Sequence, residues 1–156
     1  DGASGPDLLS PEMFAEFSYP YEKKYFETVH KAAHNIPIFN HICGNTTKIL
    51  PQIVDTGADV FEFDWQVPLK DAKQIAAGKM TLFGNLDTSE VLVLGSPELV
   101  EEKSKECIRE CGPGGKFILS SGCMVSPETP EENVAMMVES AKKYGAYRSD
   151  GTLASF

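Results

Sequence analysis

What most constrains this chain is an alternation. Four short apolar runs, at 36–43 (IPIFNHIC), 58–65 (ADVFEFDW), 80–86 (MTLFGNL) and 116–123 (KFILSSGC), are each followed by a stretch of helical composition. Those stretches are 46–56, 68–79, 97–111 and 132–145, and a further helix is expected over 10–34, before the first run. Their starts are marked: Ser10-Pro11-Glu12, Ser96-Pro97-Glu98 and Thr129-Pro130-Glu131 each offer a capping hydroxyl, a proline suited to the first turn and an acid at the positive helix end. Gly57 and Gly78 sit where helices stop, and Pro51 must lie in the first turn of its helix or kink it. Leu99, Val100, Ser104 and Ile108 recur near helical spacing, and Val134, Met137, Val138 and Ala141 are expected to share one face of the last helix. Strand and helix in alternation imply an α/β fold with a parallel sheet and right-handed crossovers. In such folds the chemistry gathers at the C-terminal ends of the strands.

Four β/α units make half of a (β/α)8 barrel, which typically needs about 250 residues; this chain has 156, read as one half-barrel over 1–156. A half-barrel alone has two unpaired strand edges and an uncovered apolar face. The expectation is a C-terminal half of a longer polypeptide, or a chain that pairs with another copy; a start at Asp1-Gly2 without methionine fits the first. Hydrophobic residues at 42% and charged residues at 24% describe a folded rather than a disordered chain. A net charge of -9 disfavours nucleic acid and anionic membranes as partners. No apolar run approaches the ~20 residues of a bilayer span, and no signal-peptide pattern is present. Together these lead to an expected cytoplasmic location, where cysteines are more often free, metal-bound or catalytic than paired.

The first run ends in His41-Ile42-Cys43. Strand side chains alternate, so His41 and Cys43 point the same way, about 7 Å apart along the strand. The pair suits a zinc site, a reactive pair or a core filler. Cys123, after Gly122 at the end of the fourth run, occupies the same sheet edge; two cysteines and a histidine with an open fourth position are the ligand set of a catalytic zinc. Asp64, after the second run, is a candidate fourth ligand or catalytic acid, and Asn45, Asn85 and Asp87 are candidate substrate-positioning residues in the neighbouring loops. Cys107 and Cys111, at helical spacing, are expected as one packed and one half-exposed cysteine. His30 and His34 mimic the spacing of a zinc-protease motif without its glutamate and are expected on a helix surface.

Four segments, DLLSPEMFAEFSYPY, HICGNTTKILPQIVDTGADVFEFDW, FGNLD with GSPELVEE, and LSSGCMVSPETPEENVAMM, together resemble the uroporphyrinogen decarboxylase superfamily across residues 4–147. The resemblance implies a (β/α)8 barrel, of which these segments form the second half. Its decarboxylases of haem biosynthesis need no metal and typically have a histidine in the glycine-rich segment after the last strand, where this chain has Gly122-Cys123. Its corrinoid-dependent methyltransferases, which include the methylcobamide:coenzyme M enzymes, have an H-x-C motif and a distant cysteine as zinc ligands. His41, Cys43 and Cys123 match that motif, and Asp64 falls where some of these enzymes have an acid near the metal. The resemblance therefore implies zinc, a methylcobamide on a partner corrinoid protein, and a small-molecule thiol as methyl acceptor. The segment SSGCMVSP departs from the APGCG-like run of the coenzyme M enzymes, which leaves the acceptor thiol open. Uroporphyrinogen decarboxylation and an inactive, self-assembling half-barrel are the alternative expectations.

Overall fold

A computed structural model describes residues 4–156. Its helices are α1 (Pro11–Phe17), α2 (Tyr19–Ala32), α3 (Leu50–Asp55), α4 (Leu69–Ala76), α5 (Pro97–Cys111) and α6 (Glu131–Tyr144), and its strands β1 (Phe39–Ile42), β2 (Val60–Phe63), β3 (Thr81–Leu86) and β4 (Phe117–Ser121). The strands form one sheet in the order β1-β2-β3-β4, every neighbouring pair parallel. This is the expected α/β alternation, with crossover helices between successive strands.

Several boundaries move for identifiable reasons. The helix expected over 10–34 is two helices, because Pro20 has no N–H to continue the first; Ser18 closes α1 by bonding the Phe14 carbonyl, and Pro20 falls in the first turn of α2. The first strand begins at Phe39 because the Ile38 N–H goes to the Asp59 carboxylate at 2.8 Å. The 46–56 helix starts as a 3-10 turn over Thr46–Lys48, and Pro51 takes the first turn of α3. A π-helical turn at Thr88–Val93, capped by Asp87, had no sequence expectation. Cys123 lies two residues past the end of β4. The buried face of α6 is built on Asn133 and Ser140, while Val138 is 46% exposed; the face expected from Val134, Met137, Val138 and Ala141 is rotated. The last helix meets α5 through small residues, with Ser104 and Ser140 both buried.

Alternation along the strands divides the residues between two faces. Phe61 and Phe63 of β2, Ile42 of β1 and Leu82 of β3 point to the helices and are fully buried in one core with Phe14, Leu50, Ile53 and Ala72. The other face carries Phe39, His41, Glu62, Phe83 and Ile118; Phe39 is 57% and Ile118 42% exposed, so this face has no cover among the described residues. Cys107 and Cys111 are both buried, unlike the one-in, one-out expectation. His30 lies on α2 and bonds Asp59 at 2.9 Å, and His34 is exposed past the helix end.

Strands β1 and β4 are three steps apart in the sheet, roughly 14 Å at the usual strand spacing. The segment after β4 nevertheless reaches β1, because it folds back over the ends of β3 and β2. The Gly122 N–H donates to the Leu86 carbonyl at 2.7 Å, and a β-carbon on Gly122 would stand 2.6 Å from the Trp65 nitrogen. Any side chain there forces the backbone apart. Gly122→Ala is expected to cost about 1–3 kcal/mol in a urea denaturation series, since overpacking cannot be relieved by rotating a side chain.

Burial pushes the Cys107 thiol up to about 11 and the Cys111 thiol up to about 12. In the unfolded chain both ionise from ~8.5. The folded state therefore binds more protons above that value, and stability falls as pH rises. The urea midpoint should be level below about pH 8 and fall by about pH 10, with a smaller fall in a Cys107→Ala/Cys111→Ala variant.

Candidate metal centre

The centre begins with β1. Its pairing with β2 fixes His41 on the open face, and Cys43, two residues on, follows to the same side. The turn after Cys43 is held by the Gly44 N–H, which donates to the Asp64 carboxylate at 2.9 Å. The N-terminal segment rests on the same turn: a β-carbon at Gly5 would stand 2.6 Å from the Cys43 carbonyl oxygen. The fold-back after β4 then delivers Cys123.

His41 Nε2 lies 3.0 Å from Cys43 Sγ and 3.7 Å from Cys123 Sγ, and the two sulfurs are 3.6 Å apart. A tetrahedral zinc with ~2.3 Å bonds to sulfur and ~2.0 Å to nitrogen has donor–donor edges of roughly 3.5–3.8 Å. Two of the three edges already match, and the third needs His41 and Cys43 to part by about half an ångström. These three are the His/Cys/Asp/Glu group that gathers its donor atoms within 4.8 Å among the described residues. The donor set is that of zinc rather than of a hard cation, and none of the three residues is fully buried, so the centre is open to a further ligand. Burial first, and the neighbouring Cys123 thiol second, push the Cys43 thiol up to about 11. Left to itself the site holds its sulfur protonated; a dication is the partner that reverses this.

The other sequence candidates lie at the same edge with their polar atoms engaged locally. Asp64 is buried, and its second oxygen accepts the Gln66 N–H at 3.0 Å, so both oxygens serve backbone donors and neither joins the ligand group. The oxygen of Asn45 accepts the Thr47 N–H at 3.2 Å and caps the 3-10 turn. Asn85 is buried; its amide donates to the Asp64 and Val67 carbonyls, each at 3.1 Å, and its oxygen faces the Cys107 sulfur of α5. Asp87 accepts the N–H groups of Ser89 and Glu90 at 2.8 and 3.0 Å.

Sequence reasoning passed over Glu62. Its carboxylate stands 3.0 Å from His41 Nδ1, on the side of the ring away from the sulfurs. A signal was available: Glu62 is the acid inside an otherwise apolar strand, and parallel register with β1 puts it opposite His41. A cavity of about 880 Å³ lies elsewhere, between α4, α5 and the π-helical turn, lined by Trp65, Leu69, Val91 and Cys107 among others; it includes none of the three clustered residues. No helix among the described residues is long and apolar enough to cross a membrane.

Similar proteins include enzymes of two activities. A methylated-thiol–coenzyme M methyltransferase of Methanosarcina mazei is 32% identical over 96% of this chain and 38% of its own length. A methylcobamide:CoM methyltransferase of the same organism is 34% identical over 92% of this chain and 40% of its own. A uroporphyrinogen decarboxylase of Nostoc punctiforme is 33% identical over 86% of this chain and 37% of its own. Among solved structures, a methyltransferase from M. mazei superposes with a TM-score of 0.82 at 28% identity, covering 92% of this chain and 40% of that one. The chain thus spans about two fifths of the length of these relatives. With residues 1–144 matching the uroporphyrinogen decarboxylase (URO-D) family, and with that fold shared by a methyltransferase, the chain belongs to the uroporphyrinogen decarboxylase family.

Proposed function

We propose that this chain is the metal-binding part of an enzyme that moves a methyl group from a methylated corrinoid, carried on a partner protein, to a small thiol. The gathering of His41 Nε2, Cys43 Sγ and Cys123 Sγ carries the reading. These three residues would hold zinc, on the side of the sheet that is open. The chemistry it would supply is to keep an acceptor thiol deprotonated near neutral pH. In the transfer, the acceptor's sulfur forms a bond to the methyl carbon, the carbon–cobalt pair stays with the corrinoid, and the thiol proton leaves to solvent. The chain's own task is to fix the acceptor's sulfur. Cys43 is set by the Gly44–Asp64 bond and Cys123 by the close approach of Gly122. Asp64 therefore acts by holding the turn, and Asn45, Asn85 and Asp87 by shaping the loops around the site.

The relatives that act on coenzyme M support this reading. The sheet's uncovered face, with Phe39 and Ile118 largely exposed, supports a barrel completed by four further β/α units, from the same polypeptide or from a second copy. Corrinoid and acceptor contacts from that other half are required for turnover, so the isolated chain binds metal and is inactive.

Purified without chelator, the chain is expected to hold about one zinc, and Cys43→Ser/Cys123→Ser less than about a tenth of that, by elemental analysis. Because Cys43 must lose its proton to bind, apparent affinity should rise at least about tenfold per pH unit near neutrality. Methyl transfer from a methylated corrinoid protein to coenzyme M is expected only when the N-terminal half of a relative is added; transfer by the chain alone contradicts the half-barrel reading. The decarboxylase relative, equally similar, favours a second reading. Turnover of uroporphyrinogen by the reconstituted barrel, unaffected by the double serine variant, would establish it in place of the first.

A further inference from the structure

His41 Nδ1 stands 3.1 Å from the backbone carbonyl of Glu62 and 3.0 Å from the Glu62 carboxylate. Both are acceptors without a proton to give. A hydrogen on Nδ1 serves both, and the ring then turns Nε2 toward the two sulfurs. The ring is thus oriented from behind by one residue through two of its atoms. Parallel register makes this automatic: His41 and Glu62 are direct partners across β1 and β2, and both side chains point to the open face. Half-exposure leaves the pair room to form, with side chains 28% and 26% accessible. Among the described residues the Glu62 carboxylate lies against His41 Nδ1.

We infer that Glu62 is a positioning residue for the metal centre, its carboxylate fixing the tautomer and ring angle of His41 so that Nε2 is delivered as a ligand. The inference rests on the metal-binding reading above. Metal-bound histidines commonly give their second ring N–H to a carboxylate or carbonyl, and loss of that outer partner typically weakens metal binding 10–100-fold. The carboxylate also adds a negative charge behind the ring, which raises its donor strength toward a cation. Glu62 is the acid among apolar strand neighbours on the open face, and a hydrogen bond to a ligand histidine gives it a task there.

The test titrates the full chain with cobalt(II), whose colour reports thiolate coordination, and competes it with zinc. Glu62→Ala is expected to lower affinity about 10–100-fold; Glu62→Gln, which keeps an acceptor oxygen without the charge, should fall between it and the parent. If Glu62→Ala does not fold, as judged by circular dichroism of the metal-free protein, Glu62→Gln carries the comparison. Acting through His41 means that Glu62→Ala adds less than about a threefold loss to a His41→Ala background. Nitrogen-15 NMR of the zinc-loaded parent is expected to show the His41 proton on Nδ1, with Nε2 on the metal. Affinity of both Glu62 variants within about threefold of a parent that binds cobalt, or the opposite tautomer in the spectrum, overturns the inference while leaving the metal-binding reading intact. A parent that binds neither metal removes both.

Discussion

Everything at this site depends on the backbone contact between Gly122 and the Asp64–Trp65 peptide. Histidine and cysteine at the end of β1 are far, in strand steps, from a cysteine that follows β4. Only a chain that folds back across two strand ends brings the second sulfur to 3.6 Å from the first. That path runs so close to the β2 end that there is no room for a β-carbon. The same Asp64 that borders this contact also holds the Gly44 N–H, so one short segment after β2 fixes both cysteine-bearing turns. Geometry of a ligand set is thereby tied to the packing of three loops rather than to any one strand.

A second constraint is the separation of the sheet into a dry face and a wet one. Aromatic and aliphatic side chains of alternate positions go under the helices, where burial of each contributes of order 1.5–3 kcal/mol. The intervening positions carry His41 and Glu62 beside Phe39 and Phe83, whose rings meet edge to face at 6.1 Å. Polar chemistry set among exposed aromatics suits the inside of a barrel that other strands close. It also explains the elevated Cys43 thiol: the group is partly removed from water and faces another sulfur and the Asp64 charge.

Much of this was legible in the residues. The repeat of apolar runs and capped helices located all four strands, and period-two alternation put His41 and Cys43 together. Strand order put Cys123 at the same edge, and the family resemblance matched all three to one motif. Where reading failed, the cause was tertiary. Proline at 20 split a helix whose periodicity ran on through it. On α6 the fully buried positions are Asn133, whose amide donates to the Leu92 and Gly95 carbonyls, and Ser140, while Met136 and Met137 pack only partly buried against the core. Asn45 and Asp87 also cap turns and Asn85 pins two carbonyls, local roles that their residue types alone do not announce. Glu62 was hidden because its importance comes from register across two strands, which sequence spacing along one strand does not carry.

The most direct test of the central claim is zinc K-edge X-ray absorption of the metal-loaded chain, before and after addition of a small thiol. Coordination by His41, Cys43 and Cys123 predicts two sulfur scatterers near ~2.3 Å with nitrogen or oxygen near ~2.0 Å, and a third sulfur when the thiol enters the open position. A shell of nitrogen and oxygen alone, or a sulfur count that the thiol leaves unchanged, would contradict it.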